Sequence, residues 1–119
     1  MTDTSFPYQS SRASTETGDP VLRDLSIGIR NIYGNRLARL VLFGSRARGN
    51  ATPESDYDVA VFLRDMPDRW SEFDRVNAVA ADMLLRHFAV VQALPYHERS
   101  YLDNPSTLMR NIREEGVDL

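Results

Sequence analysis

Two aspartates, Asp56 and Asp58, stand at the head of one apolar run, and the pair Gly44-Ser45 closes the apolar run before it. Side chains at i and i+2 of a strand share a face, with Cα atoms about 7 Å apart, so both carboxylates reach one small site. They repel each other there unless a cation lies between them. Mg²⁺ suits such a pair, because it is commonly held by one or two carboxylates together with substrate phosphates. A glycine at the end of the preceding strand lets the backbone turn sharply and lets a phosphate approach main-chain N–H groups without a Cβ in the way. Ser45 adds a hydroxyl donor. A helix beginning there would add free N–H groups and a positive dipole end, with Arg46 and Arg48 as nearby charge.

Each half of this constellation is ordinary by itself. Gly-Ser is a common turn, and a lone Asp-x-Asp is usually a solvated strand start. Together they gain meaning, because a phosphate cradle ending one strand and an acid pair opening the next become neighbours if the strands pair. Beyond Asp58, the positions Val59, Val61 and Leu63 face one way while Ala60 and Phe62 face the other, so the acids sit at the mouth of a strand apolar on both sides.

The elements that must position these residues are legible in outline. Residues 1–18, with eight Ser or Thr and no apolar periodicity, are expected to form a disordered tail, leaving 19–119 as one domain. Asp19-Pro20 gives a cap followed by proline at the first helical position, and Leu22, Leu25, Ile29 and Ile32 recur at helical spacing, predicting a helix over 20–33. Leu40-Val41-Leu42-Phe43 predicts a buried strand, Ser45 to Arg48 a helical turn, and Gly49 to Pro53 a loop. Asp56 to Leu63 is a second strand. A helix over about 70–88 is expected to present Phe73, Val76, Val79, Ala80, Met83, Leu84 and His87 or Phe88 on one face, with Trp70 and Phe73 anchoring its start. Ala89 to Ala93 is a third strand closed by Pro95, and Asn104-Pro105 opens a last helix through Leu108, Met109 and Ile112 to about Gly116. The class is α/β or α+β: a small mixed sheet of three or more strands with helices mainly on one face.

Composition excludes other chemistries. With no cysteine in 119 residues there is neither a disulfide nor a Cys-type zinc site. All fourteen basic residues are Arg, so no lysine nucleophile or P-loop lysine exists. They are scattered and the net charge is −3, which argues against a nucleic-acid partner. No apolar run approaches the roughly 20 residues of a membrane span, and no secretory signal opens the chain, so a cytoplasmic location is expected. His87 and His97 lack ligand spacing and read as structural or surface residues.

Gly44-Ser45-Arg46-Ala47-Arg48-Gly49 followed by Ser55-Asp56-Tyr57-Asp58 resembles the minimal nucleotidyltransferase (MNT) family of the DNA polymerase β superfamily, in which Gly-Ser, Arg-Gly and a following Asp-x-Asp recur. The flanks Val41-Leu42-Phe43 and Val59-Ala60-Val61-Phe62 agree, so the match runs over 42–63 and extends loosely over 20–119. The resemblance implies a polymerase β-like core that transfers a nucleoside monophosphate, AMP from ATP, to a hydroxyl acceptor. It makes Gly44, Ser45, Arg46, Arg48 and Gly49 nucleotide-binding, and Asp56 and Asp58 catalytic ligands of Mg²⁺, with two ions expected. It also implies a protein adenylyltransferase antitoxin acting on a HEPN-type toxin from a neighbouring gene, in a homo- or hetero-oligomer. The family supplies a third carboxylate from a later strand. Here that strand, Ala89 to Ala93, offers only Gln92, while Glu98 and Asp103 lie beyond it. Two further readings therefore stand: an impaired antitoxin that neutralises its partner by contact, and a transferase that modifies a small hydroxylated molecule.

Overall fold

Asp19 sets the start of the first helix. In the computed structural model, which describes residues 18–119, its Oδ1 accepts from the N–H groups of Val21 at 2.9 Å and Leu22 at 3.3 Å. The tail expected over 1–18 lies, up to Thr17, outside the described residues. Helix α1 runs Pro20–Tyr33, as its cap and periodicity dictate, and buries Leu22, Leu25 and Ile29. A 3₁₀ turn, Gly34–Arg36, leads into β1, Leu37–Phe43. There follow the single helical turn α2, Ser45–Arg48, then β2, Tyr57–Leu63, and the long helix α3, Arg69–His87. The chain continues through β3, Val91–His97, the short α4, Ser100–Asp103, α5, Thr107–Glu115, and β4, Val117–Asp118.

The sheet order is β3-β2-β1-β4. Strand β1 is antiparallel to both β2 and β4, whereas β2 and β3 are parallel and need α3 as their crossover. Parity along β2 then sorts the core. Tyr57, Val59, Val61 and Leu63 pack beneath α1 and α3, while Ala60 and Phe62 join Val41, Met109 and Ile112 beneath α5. The two long helices thus share one face and the short α5 covers part of the other. Gly28 lets α1 and α3 meet, since a Cβ there would lie 3.0 Å from Val79 Cγ1.

Several boundaries differ from those expected. Strand β1 starts at Leu37 because it carries a bulge between Leu37 and Arg39, which breaks the alternation that a sequence pattern relies on. Strand β3 runs on through Pro95. The backbones of Val90 and Glu98 bond to β2, through Tyr57 N to Val90 O and Glu98 N to Leu63 O. Even-numbered residues therefore face the ladder, and Pro95 turns its missing N–H to the open edge, where proline is tolerated. Helix α5 is capped by Ser106, whose Oγ accepts from Met109 N, while Asn104 makes a turn by accepting from Ser106 N. Trp70 is 76% exposed, with its ring along that of Phe73, so it does not anchor α3, and Ile32, Leu84, Phe88 and Leu108 also lie outside the core.

The least expected core residue is Glu72, 1% exposed at the start of α3. It accepts from Arg36 Nη2 at 2.6 Å and from Arg75 Nη1 at 3.0 Å. Burial opposes its charge, but the two guanidiniums outweigh burial and hold its pKa below the ordinary value. A depressed acid pKa contributes stability above the unfolded-state pKa and loses it as pH falls through the folded value. Glu72→Gln should therefore cost about 1.5–3 kcal/mol at neutral pH in urea unfolding. The gap from wild type should narrow as pH falls below the usual glutamate range.

Candidate active site

The register of β1 and β2 sets Phe43 opposite Asp58, so the chain leaves β1 beside the acid pair. Gly44 makes the turn at φ 77° and ψ −159°, a region essentially restricted to glycine. A Cβ built on it would strike Asp58 Oδ2. The backbone of the Gly-Ser turn and the Asp58 carboxylate are thus in direct contact, which makes the two halves of the sequence pattern one surface. Gly44 O accepts from Ala47 N and Arg48 N, which closes α2 and leaves the first-turn N–H groups of Ser45 and Arg46 without an intrahelical partner.

Asp56 sits one residue before β2, and Asp58 lies on the strand face shared with Ala60 and Phe62. Burial first, and the charge of Asp56 second, raise the pKa of Asp58 above its ordinary value, with Arg48 acting against both. This acid is held where its own charge is disfavoured. In the parallel ladder Asp58 pairs with Gln92, whose Nε2 donates to Asp56 Oδ2 at 2.9 Å. The third strand therefore delivers an amide to the acid pair. Among the described residues, no group of three or more His, Cys, Asp or Glu stands together as a metal cage. Two carboxylates with an amide beside them suit an ion that keeps part of its shell for phosphate and water, as Mg²⁺ does.

Glu98 and Asp103 do not complete the site. Glu98 follows the far end of β3, where its N–H bonds to Leu63 O and its carboxylate lies 3.8 Å from Arg64. Roughly 20 Å of strand separates that end from Asp56. Asp103 lies on α4 beyond it.

The arginines divide. Arg46 spends its guanidinium on the loop, donating to Ser55 O from Nε and Nη2 at 3.0 and 2.9 Å and reaching Thr52 O and Pro53 O, while covering the Tyr57 ring at 3.8 Å. Tyr57, buried between the two acids in sequence, donates from its phenol to Asp19 Oδ2 at 3.0 Å. Burial and Asp19 keep that phenol protonated. This brace from α1 through Tyr57 to the loop holds the backbone on which Asp56 sits. No local pattern could have announced it, since its residues lie far apart in sequence. Arg48 is half-exposed, 3.4 Å from Glu115 Oε1, and free to turn toward a ligand at modest cost because such surface pairs are weak. Gly49 ends α2 in the left-handed region.

A cavity of about 630 Å³ lies elsewhere, at the opposite end of β2, lined by Arg39, Phe62, Arg64, His97 and Tyr101. It contains none of the residues of the Gly-Ser turn or the acid pair. Tyr101 of this lining and Tyr96 of β3 pack on Phe62, at 5.4 and 5.6 Å between ring centroids. His87 bonds Asp24 of α1 at 2.8 Å, a structural tie.

Comparison with known proteins agrees with this geometry. Residues 27–117 match the family described as "Nucleotidyltransferase domain". Two proteins of Methanocaldococcus jannaschii, each named "putative protein adenylyltransferase", are similar. One is 28% identical over 82% of this chain and 93% of its own length, the other 29% identical over 64% and 76%. The fold is shared with a toxin–antitoxin complex crystallised with AMP-PNP, at TM-score 0.55 and 21% identity over 79% of this chain and 68% of that one. It is shared equally with a Sulfolobus solfataricus protein described as a "putative nucleotidyltransferase", at TM-score 0.54 and 15% identity over 96% and 90%. With the Gly-Ser turn set against the acid pair and the family match spanning both, this chain belongs to the nucleotidyltransferase domain family and is a nucleotidyltransferase.

Proposed function

We propose that this chain transfers AMP from Mg²⁺-bound ATP to a hydroxyl of a partner protein, with a HEPN-type toxin from a neighbouring gene as the acceptor. The observation that carries the reading is the contact of Gly44 with Asp58, which joins a glycine turn and its free backbone N–H groups to a carboxylate pair. The names of the M. jannaschii relatives support a protein acceptor, and the complex with AMP-PNP supports an adenine nucleotide at such a fold within a toxin–antitoxin pair.

In this reading the N–H groups of Ser45 and Arg46 and the Ser45 hydroxyl bind the terminal phosphates, which Gly44 admits for want of a side chain. Arg48 swings from Glu115 to the phosphates, whereas Arg46 stays on its loop and fixes Asp56. Asp56 and Asp58 hold the ion, with Gln92 orienting Asp56. When bound, Mg²⁺ supplies charge that offsets the phosphates and the leaving pyrophosphate. The acceptor hydroxyl gives its proton to water or to one of the two carboxylates, and its oxygen forms the new bond to the α-phosphorus as the bond to pyrophosphate breaks.

A second reading has its own observation. Gln92 pairs with Asp58 on the third strand, from which the resemblance implies a carboxylate, and an amide cannot take a proton from the acceptor as a carboxylate does. An antitoxin that binds nucleotide but silences its partner by contact alone would carry such a site.

Incubation with α-labelled ATP, Mg²⁺ and the product of the neighbouring gene separates the two. The enzyme reading expects label on that protein, a fall of about 10²–10³-fold with Asp56→Asn, and Asp58→Asn that still binds the partner without neutralising it. Neutralisation by Asp58→Asn, with no label from wild type, would select the contact reading. In metal-free protein Asp58→Asn should raise Tm at neutral pH, because the amide escapes both burial of charge and repulsion by Asp56, and added Mg²⁺ should stabilise wild type only. Gly44→Ala should lose ATP binding in calorimetry, with a backbone penalty of about 1–3 kcal/mol visible as a lower Tm.

A further inference from the structure

The cavity at the far end of β2 has a lining that the acid pair does not explain. Its volume of about 630 Å³ falls in the ordinary range of small-molecule sites, roughly 300–1,000 Å³. The lining holds three guanidiniums, those of Arg39, Arg64 and Arg99, against the single carboxylate of Glu98. With His97 neutral, that is an excess of two positive charges, in a chain whose net charge is −3. Like charges gathered at one place repel, and a bound anion would offset that repulsion.

Contacts within the chain leave most of this charge available. Glu98 stands 3.8 Å from Arg64, whose Nε donates to Asn35 O, and Asp118, itself mostly in solvent, stands 3.6 Å from Arg39. Both ion pairs are long and exposed, and such pairs are weak. The side chain of Arg99 enters no ion pair or hydrogen bond among the described residues, while its backbone N–H donates to His97 Nδ1. The frame around these cations is nevertheless fixed. Arg39 stands opposite Phe62 in the β1–β2 ladder, and its guanidinium rests over the Tyr101 ring at 4.1 Å. Tyr101 meets Phe62 edge-on, and its helix α4 is tied to α5 by Arg113, whose Nη1 donates to Tyr101 O at 2.7 Å and Asn104 O at 3.2 Å. Part of the lining is apolar: Ala38, Tyr101 and Leu102 stand beside the cations, and Leu102 is 77% exposed.

These features select a class of ligand. Two surplus positive charges match a phosphate monoester, which carries about −1.5 to −2 at neutral pH and offers three acceptor oxygens to guanidinium forks. A carboxylate brings one charge and two oxygens. The apolar wall and the volume leave room for an organic body beyond the phosphate. We propose that this cavity is a binding site for a small phosphomonoester with a planar or apolar body, separate from the catalytic centre. Four residues of strand, about 13 Å, lie between Asp58 and Phe62, so the two sites fill independently. The inference does not rest on the identity of the acceptor.

Phenyl phosphate, a phosphomonoester with a planar ring and no nucleoside, serves as the probe, added to the full chain in Mg²⁺-free buffer and followed by calorimetry. Wild type should bind it at least tenfold more tightly than benzoate or phenol. Arg39→Gln and Arg99→Gln, both at exposed side chains, should each weaken binding about tenfold, and added salt should weaken it further. Gly44→Ala, which blocks the turn beside the acid pair, should bind the probe as wild type does. No binding by wild type, or binding that neither arginine variant weakens, would overturn the proposal. So would loss of binding in Gly44→Ala, which would place the probe at the catalytic turn. Benzoate bound as tightly as phenyl phosphate would make the cavity a carboxylate site and overturn the phosphomonoester. A peptide rich in Asp and Glu that binds where phenyl phosphate does not would do the same, assigning the cavity to an acidic protein segment.

Discussion

The antiparallel register of β1 and β2 is the constraint on which the rest depends. Because Phe43 faces Asp58, the residue after Phe43 arrives against a carboxylate, and only a residue without a Cβ fits there. A slip of one residue would turn Asp58 toward α1 and α3 and bring Val59 to the rim. The register is held by burial: Val59, Val61 and Leu63 lie under the long helices while Ala60 and Phe62 lie under α5, so any slip would exchange two packed faces at once. The core therefore specifies the site's geometry as well as the fold's stability.

Around that constraint the charges fall into two kinds. Glu72 is buried deep, but Arg36 and Arg75 meet it, so its ionised form stabilises the fold. Asp58 is only partly buried, yet the charge that acts on it most strongly is another carboxylate, and its ionised form is disfavoured. A buried charge with partners within the chain serves structure, whereas one left short of them points to a partner from outside. Arg46 shows the same division from the cationic side. Its loop carbonyls and the Tyr57 ring engage it fully, which suits a brace, while Arg48 keeps a single weak surface pair.

How much was legible in the sequence follows from how local each signal is. Asp19-Pro20 announces α1 because cap and first turn are adjacent, and the helical turn at Ser45–Arg48 lies between two glycines that mark its ends. The Gly-Ser and Asp-x-Asp pair could be placed side by side because one short loop joins their strands. The continuation of β3 past Pro95 could not be read, since whether a proline is tolerated depends on which edge of the strand is open, a fact of the sheet and not of the strand. Glu72 and the second oxygen of Asp19 were equally hidden. Glu72 looks like any helical glutamate until Arg36 is brought beside it, and Asp19 looks finished once it caps α1.

The third strand is where the family pattern and this chain part, and the ladder gives that departure its physical meaning. Gln92 pairs with Asp58 in register, so it occupies the place on the sheet from which a carboxylate would project, and its amide points at Asp56. A carboxylate there would be a third negative charge beside two that already repel. An amide adds none and donates a hydrogen bond that fixes Asp56 in one orientation. The substitution therefore trades proton-accepting capacity for a site that is less strained when empty.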